Sequence, residues 1–163
     1  MYDIILSMYI IGCPSGWVDA SSTNLGCLYF HNTRSNMYHA NSKDFCISKN
    51  NSHLVETLDE NQINFIKEKV SEIGDDWWWI GITDEVSEGT WIWPHKNQVA
   101  TANSWDPGEP NGGTSYNYAC LYKDYNYNWL DASTSWTCNP ICQKEKHVDT
   151  YYEDSNRLCQ RKF

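Results

Sequence analysis

Apolar side chains recur at helical spacing in two segments of the first half of the chain. Residues 36–49 predict a helix whose apolar positions lie roughly on one side: Met37, Ala40 and Phe45. A second helix is predicted after Thr57-Leu58-Asp59-Glu60, which fits a capping box. The apolar positions that follow keep the helical spacing: Ile63, Ile66 and Val70.

After Asp76 the pattern changes to short aromatic and β-branched runs separated by Gly, Pro, Asn and Asp, which is typical of strands. The predicted strands are residues 77–82, 90–93, 118–122, 128–130 and 140–143. The tryptophans of the first two runs are expected to pack in the core: Trp77, Trp78, Trp79, Trp91 and Trp93. Residues 94–119 show little periodicity, and such a long loop in a compact domain is usually either functional or disordered.

The N-terminal residues 4–11 are apolar and leave two alternatives open. Asp3 stands where a secretory signal has basic residues, and no Ala-x-Ala cleavage site follows, so a truncated signal and a first edge strand are weighed equally. The segment is too short to span a membrane, and no membrane insertion is expected. We predict a possible signal remnant or edge strand at 1–12, one domain at 13–145 and a polar tail at 146–163.

Composition excludes several classes of function. The chain has 163 residues and a formal net charge of −9, and its 12 Lys and Arg residues are scattered along the sequence. Both observations argue against a nucleic-acid partner, which is bound through clustered Lys and Arg. No GxSxG, no HExxH and no Cys paired with a His is found, and the five histidines are scattered. We therefore predict a binding protein and not an enzyme.

Seven cysteines predict three disulfide bridges plus one leftover residue, and thus an oxidising, extracellular compartment for a secreted protein. The residues alone do not choose among the connectivities. Cys159 predicts either an unpaired thiol or an intermolecular bridge that makes a covalent homodimer. Asn50-Asn51-Ser52 is a sequon for N-glycosylation, which is consistent with secretion.

Glu109-Pro110-Asn111 places a carboxylate and an amide on either side of a rigid proline. Together with Trp79-Ile80-Gly81-Ile82, Trp129-Leu130-Asp131 and the cysteine spacing, this tripeptide resembles the C-type lectin-like domain, in its long form with the mannose-type EPN motif of soluble, single-domain, invertebrate-like lectins. The resemblance covers roughly residues 13–145. It implies an α+β fold of two helices on small antiparallel sheets with a long loop region. It also implies the bridges Cys13 to Cys27, Cys46 to Cys142 and Cys120 to Cys138, and a cis peptide bond before Pro110.

The resemblance implies a principal calcium site that is incomplete here. Three of the five family ligands are present: Glu109, Asn111 and Asp131. Tyr118 and Leu130 stand in place of the other two, and leucine offers no side-chain oxygen. Because calcium takes about six to eight oxygen ligands, we expect calcium to be bound weakly or not at all. An auxiliary calcium site would use Asp84 and Glu88.

The same three residues are expected to bind sugar hydroxyls directly if calcium is absent, with an aromatic side chain against the sugar ring. The candidate aromatic residues are Trp105, Tyr116 and Tyr118, although those in the long loop could equally pin the loop. The expected function is recognition of mannose-type or glucose-type glycans, as on microbial surfaces in innate immunity. A protein-binding module on the same fold and an ice-binding protein are the alternatives.

Overall fold

The computed structural model describes residues 5–10, 12–33, 36–146 and 148–153. Two α-helices are present in this part: α1 (His39–Ser48) and α2 (Glu60–Ile73). The strands are β1 (Ile5–Ile10), β2 (Val18–Asp19), β3 (Cys27–Phe30), β4 (Met37–Tyr38), β5 (His53–Leu54), β6 (Trp77–Thr83), β7 (Ile92–Trp93), β8 (Gln98–Val99), β9 (Tyr118–Tyr122), β10 (Asn128–Ala132), β11 (Thr137–Lys144) and β12 (Val148–Glu153). Among the described residues, no helix is both long and apolar enough to cross a lipid bilayer.

Ten of these strands form one sheet whose main path runs β10-β9-β6-β11-β3-β2. β4 and β5 also pair with β11, and β7 links β6 to β8. The predicted antiparallel arrangement is correct for most pairs but not for β6 and β11, which run parallel with Trp78 opposite Asn139. The sheet is therefore mixed. Parallel pairing requires a long crossover, which here contains the whole loop region and the β9-β10 hairpin.

β1 and β12 form a separate two-stranded antiparallel sheet, with Ile5 opposite Glu153 and Ile10 opposite Val148. Residues 5–10 are thus a strand in the structure. Its partner comes from the segment predicted as a polar tail. Cys159 lies outside the described residues.

Alternate side chains of β6 point into two apolar clusters on opposite faces of the sheet, as the period of two in a strand requires. Trp78, Ile80 and Ile82 pack with Ile63, Ile66 and Val70 of α2. Trp79 packs on the other face, with Cys46 of α1. The predicted core tryptophans Trp78, Trp79 and Trp93 are fully buried, whereas Trp77 is only half-buried. Truncating one of the buried indoles to alanine costs about 3–5 kcal/mol.

Helix α1 is shorter than predicted. Met37 and Tyr38 belong to β4 and pair with Cys138 and Thr137 of β11. The buried residues of α1 are His39, Ser42 and Cys46. Of the predicted apolar positions, Phe45 packs half-buried against the cluster of Cys46, whereas Ala40 is exposed. Two of these buried residues are polar or titratable and the third is a cysteine, which is why apolar periodicity did not reveal them.

The N-cap of helix α2 is Asp59, two residues later than Thr57, with which the predicted capping box starts. The Asp59 carboxylate caps it by accepting from the Gln62 backbone N–H at 2.9 Å. The Gln62 side chain accepts in turn from the Leu58 backbone N–H at 2.7 Å. The helix ends at Ile73, and its C-cap Gly74 has a φ of +84°, a conformation that favours glycine.

Two of the three expected disulfides are present, Cys13 to Cys27 and Cys46 to Cys142. The third is not formed in the structure, where Cys120 and Cys138 are buried free thiols. They come from β9 and β11, which lie on opposite sides of β6, and their thiols are adjacent but unbonded. Burial, followed by the neighbouring Cys138 thiol, raises the pKa of the Cys120 thiol above its usual range.

Candidate functional site

The Glu109-Pro110-Asn111 segment forms a tight loop at one end of the sheet, with a cis peptide bond before Pro110. The Glu109 backbone N–H donates to the Asp106 carbonyl at 2.9 Å, which closes the turn that precedes the loop. The Asn111 side-chain amide donates to Glu109 Oε1 at 2.8 Å. The carboxylate and the amide that the sequence singles out are therefore in direct contact.

Asp131 fixes this loop to the sheet. It lies in β10 and is only 4% exposed. Its Oδ2 atom accepts from the backbone N–H groups of Asn111 at 3.0 Å and Gly112 at 2.7 Å. All three predicted ligand residues are thus brought together, but Asp131 is engaged by the backbone and acts chiefly as a positioning residue.

Glu109 has one acceptor atom in use and one left over. Its Oε2 atom is buried and makes no well-formed hydrogen bond, although the carboxylate lies close to the backbone and the side chain of Asp131. Burial, followed by the adjacent Asp131 carboxylate, raises the pKa of Glu109 to about 7. A buried carboxylate oxygen without a donor is unfavourable in the free protein and is satisfied by a ligand that brings a hydroxyl hydrogen.

Tyr116 lies against this loop. A Cβ added at Gly112 would overlap the Tyr116 ring, so the close approach of ring and backbone requires glycine at that position. The other neighbour of the ring is Trp136, at 6.2 Å between centroids. Neither Gly112 nor Trp136 was predicted as part of the site. The only sequence signal for them was Gly112-Gly113 after the tripeptide and a tryptophan between short polar residues.

The other two predicted aromatic residues lie elsewhere. Trp105 packs edge-on against Trp91 and Trp129 at 4.6 and 5.6 Å between centroids, so it pins the loop to the core. Tyr118 stacks on His39 at 3.7 Å and lines a cavity to which Glu109, Asn111 and Asp131 do not contribute. The expected contact of Tyr118 with sugar at Glu109 is therefore not supported, because successive residues of β9 face opposite sides of the sheet.

The acids of the proposed auxiliary site have a structural role in part. Asp84 is buried, and its Oδ2 atom accepts from the Gly89 backbone N–H at 2.9 Å, which closes the turn of residues 84–89. Glu88 is exposed at the surface of that turn. The two side chains are not brought into a common ligand set.

The residues at the Glu109 loop do not fit a calcium ion. Leu130 is buried where the resemblance implies an oxygen ligand, and Asp131 Oδ2 already accepts two backbone N–H groups. Within the described part of the chain, no group of three or more His, Cys, Asp or Glu side chains is placed to hold a metal. One free carboxylate and one amide fall well short of the about six to eight oxygens that calcium takes.

Comparison with known proteins identifies the family. Residues 35–144 match the family model of the lectin C-type domain. This chain belongs to the C-type lectin domain family. The domain is 28% identical to perlucin of Haliotis laevigata over 138 residues, which are 83% of this chain and 84% of perlucin.

Two solved structures show the same C-type lectin fold. The carbohydrate-recognition domain of the mouse scavenger receptor C-type lectin superposes with a TM-score of 0.70 at 28% identity, covering 83% of this chain and all of that one. The C-type lectin domain of murine dendritic cell inhibitory receptor 2, solved in complex with an N-glycan, gives a TM-score of 0.70 at 22% identity over 83% of this chain and 100% of its own. The latter likeness concerns the fold alone.

Proposed function

We propose that this C-type lectin domain recognises mannose-type or glucose-type glycans through Glu109 and Asn111, and does so without calcium. The observation that carries the proposal is the buried, unpartnered Glu109 Oε2 atom next to an exposed amide. A pair of adjacent sugar hydroxyls supplies hydrogen to the carboxylate and accepts hydrogen from the amide.

The surroundings of this pair favour a sugar over other ligands. Asp131 holds the loop backbone rigid through two hydrogen bonds, which lowers the entropy lost on binding. Tyr116 borders the loop with a half-buried ring, as is typical of sites that receive the apolar side of a sugar ring. The adjacent carboxylates repel anionic ligands and leave neutral, hydroxyl-rich ligands favoured.

The relatives and the compartment support the same proposal. The mouse neighbour is a carbohydrate-recognition domain, and the murine receptor domain was solved with an N-glycan. Two disulfides in the described part of the chain are typical of secreted proteins. We include secretion, binding of microbial surface glycans in innate immunity, and the absence of catalysis in this proposal.

The test is glycan-array binding of the purified protein in millimolar calcium, repeated in EDTA. We expect a signal on mannose-type or glucose-type glycans that survives EDTA. The Glu109→Gln variant should lose this signal. Glutamine replaces one of the two acceptor oxygens by an NH2 group, which donates and therefore cannot accept from a sugar hydroxyl. The control is Glu68→Gln, which removes an exposed acid of α2.

Three outcomes would contradict the proposal in different ways. A signal that vanishes in EDTA would show that calcium completes the site despite Leu130. Full binding by Glu109→Gln would remove Glu109 from the site. No glycan-array signal in either buffer would favour a protein partner, or ice binding if the solution shows thermal hysteresis.

A further inference from the structure

A second groove lies at the opposite end of β6 from the Glu109 loop. It has a volume of about 350 Å³ and lies where the end of α2, the start of β6 and the middle of β11 meet. Its lining is almost entirely polar apart from one indole: Asn36, Gly74, Asp75, Asp76, Trp77 and Asn139. The groove shares no lining residue with the Glu109 loop.

Asn139 carries a buried polar atom that lacks a hydrogen-bond partner. Its side chain is 3% exposed, and its Oδ1 atom is buried without a hydrogen-bond partner. The amide nitrogen faces Asp75 Oδ2 at 3.4 Å. Because a carboxylate only accepts, the nitrogen must take this side, and Oδ1 is left without a donor beside the groove. An unsatisfied buried carbonyl is rare in native proteins and points to a missing partner.

The walls of the groove are held rigidly. The Asp75 carbonyl accepts from Trp78 Nε1 at 3.1 Å and from the Tyr127 hydroxyl at 3.0 Å. The Trp77 ring is stacked on Tyr122 with 3.8 Å between centroids. The Asp75 backbone and the Trp77 indole are therefore preorganised, which limits the entropy lost when a ligand binds.

The charges of the groove select a neutral ligand. Asp76 already pairs with Lys123 at 3.7 Å, and the Lys123 ammonium also donates to the Gly74 carbonyl at 2.8 Å. This cation reduces the attraction for a metal ion, while the two acids disfavour an anion. Carboxylate and amide oxygens that need hydroxyl donors, beside a half-buried indole, match a neutral polyol ring.

Aromatic side chains connect the groove with the Glu109 loop. The Trp77 ring contacts Trp136 at 5.4 Å between centroids, and Trp136 contacts Tyr116 at 6.2 Å. Tyr116 in turn covers Gly112 of the loop. We call Tyr116, Trp136 and Trp77 the aromatic path. All three side chains are half-buried, so each keeps part of its surface open to solvent.

We propose that the groove beside Trp77 is a second carbohydrate subsite, and that the ligand of this protein is an oligosaccharide that follows the aromatic path from the Glu109 loop to the groove. The side-chain oxygens of Asn139, Asp75 and Asp76 accept hydrogen bonds from sugar hydroxyls, and the Trp77 indole packs against the sugar ring. The spanning mode rests on the proposed function of Glu109, whereas sugar binding in the groove does not.

The first test records the Trp77 indole N–H signal by NMR, identified with the Trp77→Phe variant, during titration with a linear manno-oligosaccharide. We expect the signal to shift in the wild type and, at higher ligand concentration, in Glu109→Gln. A Trp77 signal that stays fixed while the Glu109 loop binds sugar would overturn the second subsite and leave the proposed function intact. A shift in both proteins without any effect of Glu109→Gln would retain the subsite and overturn the role of Glu109.

The second test compares affinities for short and long linear manno-oligosaccharides by calorimetry. We expect the wild type to bind the longer ligand roughly tenfold more tightly. This ratio should fall towards one in Trp77→Ala and in Asp76→Ala, the latter changing an exposed side chain that the fold does not need. Trp17→Ala, which removes another half-buried indole that does not line the groove, should keep the ratio. Equal ratios in the wild type, Trp77→Ala and Asp76→Ala would overturn the spanning mode.

Discussion

At the scale of single residues, Glu109 is held where its charge is unfavourable. Its carboxylate lies against that of Asp131 and is partly removed from water, which together raise its pKa to about 7. In the unfolded chain the same group has a pKa of about 4.5. The folded state therefore holds this proton more tightly, and folding becomes less favourable as the pH rises from about 4.5 through 7.

Glu109→Gln should consequently raise the melting temperature at pH 8 and leave it unchanged at pH 4, where the wild-type group is protonated. Each kcal/mol gained corresponds to about 2–4 °C for a chain of this size. Thermal unfolding across the pH range measures the effect, with Glu68→Gln as the control. A melting temperature of Glu109→Gln that does not exceed the wild-type value at pH 8 would contradict the proximity of the two carboxylates.

At the scale of elements, a buried acid attaches the first part of the long loop region to the core. Glu56 follows β5 and is 2% exposed, and its carboxylate accepts from the backbone N–H groups of His95 and Lys96 at 2.6 and 3.0 Å. Its own backbone N–H donates to Gln143 Oε1 of β11 at 2.8 Å. The turn between β7 and β8 is thereby tied to the centre of the sheet.

Replacing Glu56 by alanine should destabilise the protein by about 1–3 kcal/mol, because two buried backbone donors lose their acceptor. Glu56→Gln keeps one side-chain oxygen and should lose less. Urea unfolding measures both, with the exposed Glu68→Ala as the control. If Glu56→Ala unfolds at the same urea concentration as the control, the turn does not depend on this acid.

The sequence predicted the elements whose side chains alternate or repeat clearly, namely α2 and the strands β6, β9, β10 and β11. It missed β2, β3 and β5, which are short. β3 and β5 gain their hydrogen bonds from β11, far along the chain, and β2 gains its own from β3. The chemistry of Glu109, Asn111 and Asp131 was predicted from motif residues. The place of Tyr118 was not, because which side of the sheet it faces depends on strand register. Trp105 follows the alternative in which a loop aromatic pins the loop to the core.

At the scale of the whole molecule, the two disulfides differ in how far along the chain they reach. Cys46 of α1 and Cys142 of β11 are 96 residues apart, whereas Cys13 and Cys27 are 14 residues apart. Cross-linking lowers the entropy of the unfolded chain, and the effect grows with the size of the closed loop.

Removing the long-range bridge with Cys46→Ser and Cys142→Ser should lower the free energy of unfolding by about 4–5 kcal/mol, against about 3 kcal/mol for Cys13→Ser with Cys27→Ser. Guanidinium unfolding under non-reducing conditions compares the two double variants. A larger loss from the short-range pair would show that local strain, and not chain entropy, dominates.

The position of β11 in the sheet bears on how the protein is made. This strand pairs with β3, β4, β5 and β6, yet it is the last strand of the large sheet to be synthesised. A ribosome must therefore deliver nearly the whole domain before those four strands find their common partner. Until Lys144 has emerged, the nascent chain exposes unpaired edges and the indoles of β6, so assembly of the large sheet waits for β11 and depends on protection from aggregation.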